Sequence, residues 1–426
     1  MNKQDGYILD TTYPVYFYKE MQPIWLKTIF DVMGLKTVEL DKSFSYLELG
    51  CAKGINLIIA ALHYPQGKFV GIDFNQEHIQ SAKKLVQLLD LKNIEFIETD
   101  FETFLATNIQ KYDFIVNHGT FSWVSSTQQQ NILEIASKYL NDLGVFYLHY
   151  MCYPGSTELQ PIQKLLNLVD QKNGMSSLDG IYKGKELFTQ LRDAGAFIDY
   201  PKIQQIQKTL EQNDEYLAHE FLTNHWQPFY SVDVHERVFD VTKMAFIGSA
   251  NPCDNIENIS IPSKLHQILK DTKDPALKEY LKDIARNSKQ RSDIFQKNPK
   301  RVTTEKQLNI LNSITFKVIR DYDKHQKIVF KTPIGNIQAH DNVVYPLLDL
   351  LKHNHCSLSD LSKLVPFQNN LYFLIETIFL LMNEGFIHPF KNDMGAVNNL
   401  KITSFNNFMQ DSNMHLRLSK YCVVNV

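Results

Sequence analysis

Between Phe44 and about Tyr150 the sequence alternates short apolar runs with segments of helical spacing, and this alternation restricts the fold more than any other feature. The apolar runs read "SYLELG", "KFVGID", "NIEFIET", "YDFIVN" and "GVFYLHYM". In the segments between them, apolar residues recur at the spacing of one helix face. Short buried strands separated by helices form a parallel sheet with helices on both faces. We therefore predict a doubly wound, Rossmann-like α/β domain.

The loop after the first predicted strand indicates which ligand such a sheet would bind. It reads "GCAKG", from Gly50 to Gly54. A dinucleotide-binding loop needs a third glycine, in the order GxGxxG, and a phosphate-binding Walker loop ends in GK followed by Ser or Thr. Neither order is present. Glu48 precedes the loop inside the strand and would repel a pyrophosphate, so the loop suits a ligand with a positive charge and an amino group.

Aspartates end the second and third predicted strands. Asp73, in "GIDFN", lies 23 residues after Gly50, where a carboxylate can accept hydrogen bonds from ribose hydroxyls. Asp100, in "IETDF", can accept a hydrogen bond from an exocyclic adenine amine while Phe101 packs on the ring. Either aspartate alone is as readily a helix N-cap or a turn residue. Because the strand ends that carry Glu48, Asp73 and Asp100 are neighbours in the predicted sheet, the three carboxylates together favour a nucleoside site.

Composition excludes several classes of function. The formal net charge of −3 gives no overall attraction to nucleic acid or to an anionic membrane. Five scattered cysteines without a CxxC pair favour reduced thiols rather than disulfides or a zinc site. The start of the chain lacks the apolar core of a signal peptide, and the most apolar stretch, "LYFLIETIFLLM", is too short to span a bilayer. We therefore expect a cytoplasmic protein with no metal site and no membrane insertion.

The alternation ends near residue 155, and the rest of the chain divides into predicted parts by its helical patterns and turns. The predicted parts are an α/β core over 1–155 that 229–250 completes, a helical insertion over 156–228, a helical connecting region over 251–330, and a winged-helix-like α+β domain over 331–426. In the connecting region the basic run "RNSKQRSDIFQKNPKR" is interpreted as a solvated face. The third helix of the last part has no lysine or arginine, which favours packing or protein binding over DNA binding.

Three segments together carry a family resemblance, namely "LELGCAKGINL", "YDFIVNHGTFSWV" and "MCYPGS". They resemble a bacterial group of class I methyltransferases that use S-adenosylmethionine (SAM) and carry a methyltransferase regulatory domain. Members of this group are related to outer-membrane-protein lysine methyltransferases of rickettsia-like bacteria. "EYLAHEFL" and "QPFY" are similar to sequences of the regulatory segment. The resemblance is strong over residues 10–155 and thin beyond residue 230.

The resemblance implies SAM as the cofactor and transfer of its methyl group to an acceptor amine, with a protein lysine as the leading acceptor. It implies a protein substrate, no nucleic acid partner, and allows a homodimer. By position, the residues implied to contact the cofactor are Glu48, Gly50, Cys51, Ala52, Gly54, Asn56, Asp73, Phe74, Asp100, Phe101, Asn117 and His118. Two alternatives stay open: a methyltransferase of a small metabolite, and a catalytically silent SAM-fold module that binds a partner.

Three residues are candidates for the transfer step. His118, at the end of the fourth predicted strand, could take the proton that a lysine amine must lose before attack, although a histidine at a strand end is more often structural. Trp123 and Tyr153, together with Phe121, could form an aromatic wall that receives an alkylammonium group by cation–π contact. Packing of these rings between loop and sheet is an equally good interpretation.

The chain departs from the pattern of the group at several positions. The glycine-rich loop usually reads GCGxGxN, and Ala52 stands at its middle glycine. Alanine is tolerable there if its φ is negative, but it could crowd the methionine moiety. The YPG turn usually follows Asn-Thr and precedes Trp, whereas Met151-Cys152 and Ser156 flank it here, which allows a different substrate. "HEFLTNH" has Thr223 where a zinc-binding HExxH has its second histidine, so no zinc site is predicted.

Overall fold

The computed structural model describes residues 3–174, 176–200, 202–354, 356–390, 397–412, 414–419 and 423–425. Strands and helices alternate regularly in its first third. The elements there are β1 (Lys3–Gln4), β2 (Tyr7–Ile8), α1 (Pro23–Val32), β3 (Phe44–Leu49), α2 (Ile55–His63), β4 (Gly67–Asp73), α3 (Gln76–Leu88), β5 (Ile94–Glu98), α4 (Phe101–Thr107), β6 (Tyr112–Asn117), α5 (Ser126–Tyr139) and β7 (Leu140–Met151).

Helices dominate the rest of the chain, with short strands between them. The middle elements are α6 (Gln160–Asn173), α7 (Ser177–Asp193), α8 (Ile203–Leu210), α9 (Asp214–Phe221), α10 (Ser231–Thr242), β8 (Ala245–Ser249), α11 (Glu257–Ser260), α12 (His266–Asp271), α13 (Pro275–Arg286) and β9 (Gln290–Gln296). The last elements are α14 (Thr304–Ser313), β10 (Thr315–Val318), β11 (Val329–Thr332), β12 (Gly335–Gln338), α15 (Asp341–His353), β13 (Cys356–Ser357), α16 (Leu358–Leu361), α17 (Leu371–Asn383), β14 (Ile387–Phe390), α18 (Asn399–Asp411), β15 (Leu416–Leu418) and β16 (Val423–Asn425).

Seven strands form the central sheet, in the order β5-β4-β3-β6-β7-β9-β8. The first five strands of this order are parallel, and β9 runs antiparallel to both of its neighbours. The doubly wound, Rossmann-like prediction is confirmed. The strand order reverses direction between β3 and β6, and open α/β sheets bind ligands at the carboxyl ends of the strands beside such a switch point.

The strands at the centre of the sheet are buried on both faces, because alternate side chains point to opposite helix layers. Tyr46 and Phe114 pack with α2 in one apolar cluster. Leu47 and Ile115 pack with α5 in a second cluster on the other face. Burial on both faces explains why these strands read as continuous apolar runs in the sequence.

The interpretation of residues 251–330 as a helical connecting region is wrong in part. Within it, β9 is a strand of the central sheet between β7 and β8, and the middle of the basic run, from Arg291 to Gln296, is largely buried, whereas both ends of the run are partly or fully exposed. Arg291 and Asp293 are 7% and 0% exposed. The Arg291 guanidinium donates to both carboxylate oxygens of Asp293 at 3.0 Å, and its Nη1 lies 2.6 Å from Asp283 Oδ1. Because these charged side chains pair with one another, they can be buried. The strand therefore lacks the apolar pattern that would predict it from the sequence.

The C-terminal part contains the predicted order of three helices, α15 to α17, followed by β14. A three-stranded antiparallel sheet, β13-β10-β14, accompanies them, and its β10 comes from the region predicted as connecting. The winged-helix assignment itself stays a prediction. None of the helices in the described residues combines the length and the apolar character that crossing a bilayer requires.

Candidate active site

A cavity of about 500 Å³ opens at the carboxyl edge of the sheet, within the size range of small-molecule sites. Eleven of the twelve residues implied to contact the cofactor line it. They are Glu48, Gly50, Cys51, Ala52, Gly54, Asn56, Asp73, Phe74, Asp100, Phe101 and His118. The three strand-end carboxylates therefore face one common space, as the sequence predicts.

Two glycines shape the loop after β3. Gly50 has a φ of +75°, and a Cβ at this position would lie 2.6 Å from Thr120 Oγ1. Gly54 has a φ of +68° at the N-cap of α2, and a Cβ there would overlap the Phe96 ring. Only glycine fits both conformations without strain, so the loop backbone can approach a ligand closely.

Glu48 is buried at the end of β3. Its Oε2 has no hydrogen-bond partner among the described residues. Burial, together with the nearby Asp73 carboxylate, raises the pKa of Glu48 well above its ordinary value. A buried carboxylate without a partner is costly, and a cationic amino group in the cavity would keep it ionised and hydrogen-bonded. This atom fits the ammonium of a SAM methionine moiety.

Asp73 holds the loop as well as facing the cavity. Its Oδ2 accepts the Ala52 N–H and its Oδ1 accepts the Asn75 N–H, both at 2.8 Å. Each carboxylate oxygen has two lone pairs, so each can still accept a ribose hydroxyl. The sequence predicted the ribose contact and missed the loop-holding role.

Asp100 and Asn56 each have a structural contact in addition to facing the cavity. Asp100 Oδ1 accepts the Thr103 N–H at 2.7 Å and caps α4, so the N-cap interpretation holds beside the cavity position. Asn56 Oδ1 accepts the Tyr18 N–H at 2.8 Å and thereby ties the N-terminal segment to the loop. The remaining Asp100 oxygen can accept from an adenine amine.

Ala52 adopts a conformation that the sequence analysis did not expect. Its φ is +46°, whereas a negative φ was the condition for tolerating alanine at this position. The hydrogen bond from its N–H to Asp73 accompanies this left-handed turn. A left-handed conformation costs a residue with a Cβ about 1–2 kcal/mol.

Replacing Ala52 by glycine is therefore expected to stabilise the protein by up to about 1 kcal/mol, since the relief of strain exceeds the extra chain entropy of glycine. Replacing it by valine should destabilise the protein, because β-branched residues tolerate a positive φ poorly. Urea unfolding of both variants beside the wild type measures these changes. A glycine variant that is less stable than the wild type would contradict the backbone strain inferred at Ala52.

His118 is the candidate base that lies in the cavity lining. The Tyr147 hydroxyl lies 2.7 Å from His118 Nδ1 and 3.2 Å from Ser292 Oγ. In the tautomer with its proton on Nδ1, Nε2 is the nitrogen that can accept a proton or a hydrogen bond. Burial and then the neighbouring His149, whose ring stacks at 4.1 Å, lower the pKa of His118 well below its ordinary value. His118 is therefore neutral at pH 7.

Three predicted residues are absent from the described cavity lining. Asn117 is fully buried, and its Nδ2 donates to the Leu49 carbonyl at 2.9 Å, which ties β6 to β3. Trp123 is buried and donates from Nε1 to the Glu220 carbonyl at 3.2 Å. The Tyr153 ring packs 4.8 Å from that of Tyr230. The packing interpretation of these aromatic residues is the one that the structure follows.

The N-terminal segment supplies cavity residues that the sequence analysis missed. Tyr7, Tyr13, Tyr16 and Tyr18 all line the cavity. The apolar residues of the segment recur with neither helical nor strand spacing, so the sequence pattern predicts no structure for it. The signal that could have drawn attention to it is compositional, because four of the 20 tyrosines of the chain fall within residues 7–18.

Helix α9 holds this N-terminal segment in place through hydrogen bonds of His219. Nε2–H of His219 donates to the Thr11 carbonyl at 3.0 Å, and the Tyr7 hydroxyl donates to Nδ1 at 3.1 Å. Both ring nitrogens are thus occupied in the neutral form. Burial lowers the pKa of His219 to about 4, although the Thr11 contact opposes this shift.

Acidification is expected to weaken this contact. The folded pKa of His219, about 4, is below the unfolded value of about 6.5, so its contribution to stability is complete above pH 6.5 and is lost as the pH falls towards 4. The free energy of unfolding of the wild type should fall faster over this window than that of His219→Gln, which has no titrating group. Parallel pH profiles of the two proteins would contradict the assignment.

Family models and known proteins were compared with the chain. A model described as "Methyltransferase domain" matches residues 40–231, and one described as "Predicted methyltransferase regulatory domain" matches residues 213–297. The chain is a class I SAM-dependent methyltransferase with a regulatory domain. The methyltransferase and regulatory parts meet at α9, whose His219 fastens the segment that lines the cavity.

The methyltransferase is similar along nearly its whole length to other bacterial proteins. An uncharacterized protein of Synechocystis sp. is 28% identical over 420 residues, which cover 97% of this chain and 83% of that protein. An uncharacterized protein of Rickettsia prowazekii is 28% identical over 327 residues, or 74% of this chain and 58% of that protein. The solved structure of PKMT2 from Rickettsia typhi in complex with AdoHcy has a TM-score of 0.72 at 20% identity and covers 97% of this chain and 86% of that one. That likeness shows the fold.

Proposed function

We propose that the methyltransferase transfers a methyl group from SAM to an amine, and that the acceptor is a lysine side chain of a protein. The observation that carries the proposal is the charge of the cavity. Four carboxylates line it, from Asp5, Glu48, Asp73 and Asp100, against one lysine, Lys53. Such a lining favours a cationic sulfonium and a cationic alkylammonium acceptor over acceptors that carry phosphate. The sequence resemblance to lysine methyltransferases supports the same acceptor.

Each part of the cavity would hold one part of the cofactor. Glu48 and the glycine loop would hold the methionine moiety, Asp73 the ribose, and Asp100 with Phe101 the adenine. SAM, when bound, supplies an electrophilic methyl group on sulfur. The protein's own task is to align the acceptor amine and to exclude water, since direct displacement needs no protein nucleophile. Neutral His118, in the tautomer protonated on Nδ1, would accept the proton of the attacking amine at Nε2 or hydrogen-bond to it.

Methyl transfer from radiolabelled SAM into a cell lysate tests the acceptor. We expect label in the protein fraction, released on hydrolysis as methylated lysine. Label that appears only among small molecules would contradict the protein acceptor and favour the metabolite alternative. Calorimetry with SAM and with S-adenosylhomocysteine tests the cofactor independently, and failure of both to bind would favour a catalytically silent module.

A further inference from the structure

Three tyrosine rings from two parts of the chain meet beside the cofactor cavity. Tyr13 and Tyr16 come from the N-terminal segment, and Tyr216 comes from α9. We call these three residues the tyrosine cage. Their ring centroids lie 6.0, 6.1 and 6.4 Å apart, at interplanar angles of 47° to 78°. Two of the three pairs meet edge to face and the third pair is tilted, so the rings do not stack.

The size of the tyrosine cage suits a small cation. The centre of a triangle with these sides lies roughly 3.6 Å from each ring centroid, well inside the ~6 Å range of cation–π contact. Tyr13 and Tyr16 also line the cofactor cavity, and Tyr16 is 40% exposed. Two of the three rings thus border the cavity, and Tyr16 also reaches solvent.

Glu220 adds a carboxylate to the tyrosine cage. It lies four residues after Tyr216 on α9, so the two side chains share one helix face. Burial and, after it, the Glu220 charge raise the pKa of the Tyr16 and Tyr216 hydroxyls. Burial raises the pKa of Glu220 itself to about 8, so near pH 7 the group is mostly protonated and would ionise as a cation enters beside it.

A line of rings connects the tyrosine cage to the candidate base. The Tyr18 ring centroid lies 6.2 Å from that of Tyr16 and 3.8 Å from that of His118. His118 lines the cofactor cavity. A chain that enters past the cage would therefore reach the site of methyl transfer along aromatic faces.

From this arrangement we propose that the tyrosine cage and Glu220 capture the alkylammonium group of the acceptor on its way to the cofactor. This inference rests on the proposed function and adds a substrate-selecting site to it. Three ring faces and one carboxylate are the chemistry that distinguishes an alkylammonium from a neutral chain of the same length. The site acts on capture of the acceptor, before the amine loses its proton, so it governs KM more than kcat.

Binding of two small probes tests the proposal. N-acetyl-lysinamide and its neutral counterpart N-acetyl-norleucinamide are titrated by ligand-observed NMR into the full-length protein saturated with S-adenosylhomocysteine. We expect the wild type to bind the lysine probe at least ~10-fold more tightly than the norleucine probe. Equal affinity for the two probes, or binding of neither, would overturn the proposal.

Variants assign the preference to the residues. Glu220→Gln keeps the shape of the side chain and should reduce the preference roughly tenfold, and Tyr216→Leu should reduce it roughly three- to tenfold. Tyr216→Phe keeps the ring and should retain it. Tyr182→Leu, at a tyrosine on α7 that is 67% exposed, is the matched control and should behave as the wild type. A preference that survives both Glu220→Gln and Tyr216→Leu would overturn the proposal.

Two further measurements on the same variants separate this proposal from the proposed function. SAM affinity by calorimetry should be unchanged in Glu220→Gln and Tyr216→Leu, while KM for labelled protein rises and kcat stays within about twofold. Failure of the wild type to bind SAM, or to transfer label to protein, would defeat the proposed function. Normal labelling with an unchanged KM in both variants would defeat only the capture site.

Discussion

Replacing Arg291 by alanine is expected to destabilise the protein by about 3–5 kcal/mol, because it leaves buried carboxylates without their counter-charge. The guanidinium contacts Asp293, Asp283 and Glu279, at 2.6 to 3.3 Å. Burial opposes ionisation of Asp293, but Arg291 and His235 outweigh it and lower its pKa. Without Arg291 the carboxylates of Asp293, Asp283 and Glu279 repel one another. Urea unfolding followed by circular dichroism measures the loss.

Two control variants show how the cost of Arg291→Ala compares with that of other changes of charge. Lys324→Ala removes an exposed ion pair with Asp349 and should cost less than about 1 kcal/mol. Arg291→Lys keeps the charge but not the forked geometry, so its cost should lie between the two. A cost for Arg291→Ala no larger than that of Lys324→Ala would show that the buried network contributes little to stability.

Replacing Asp73 by alanine should weaken SAM binding by on the order of 1–3 kcal/mol, since buried hydrogen-bond donors lose their acceptor. The donors are the backbone N–H groups of Ala52 and Asn75 and, in the proposed binding mode, the ribose hydroxyls of the cofactor. The loop before α2 loses its fixed shape at the same time. Calorimetry with SAM measures the affinity, and circular dichroism shows whether the variant is folded.

Comparison with two other changes isolates the role of Asp73. Asp73→Asn keeps one acceptor oxygen and should lose less affinity than the alanine variant. Asp100→Ala removes a helix cap and the proposed adenine contact, and should cost about 1 kcal/mol. A folded Asp73→Ala variant with unchanged SAM affinity would place the ribose elsewhere.

The sequence predicts the part of the fold that repeats. Parallel strands buried on both faces read as apolar runs, and the carboxylates at their ends share one edge of the sheet because the topology brings them there. Glu48, Asp73 and Asp100 could therefore be placed around one cavity before any coordinates. The strand β9 could not, because Arg291 and Asp293 are buried by pairing with each other and not by apolar character.

The sequence also leaves out what depends on distant contacts. The N-terminal tyrosines have no periodic pattern, and their position follows from the contact of Thr11 and Tyr7 with His219, more than 200 residues away. The left-handed φ of Ala52 is equally hidden, since the residue type argues against it. Trp123 and Tyr153 are the opposite case, because the sequence suggests a binding role for them that they do not have in the described cavity. Aromatic residues near a strand end suggest a binding wall, but these two rings pack against other residues.

The position of β9 has a consequence for how the protein is made. This strand covers the open edge of β7, yet it starts at Gln290, whereas β7 ends at Met151. At ribosomal speeds of ~5–20 residues per second, the roughly 140 intervening residues take about 7–30 s to emerge. Throughout that time the backbone N–H and C=O groups of β7 have no strand partner on this side and can pair with another nascent chain. Slow synthesis of this stretch should therefore increase aggregation during translation, before the native state is ever reached.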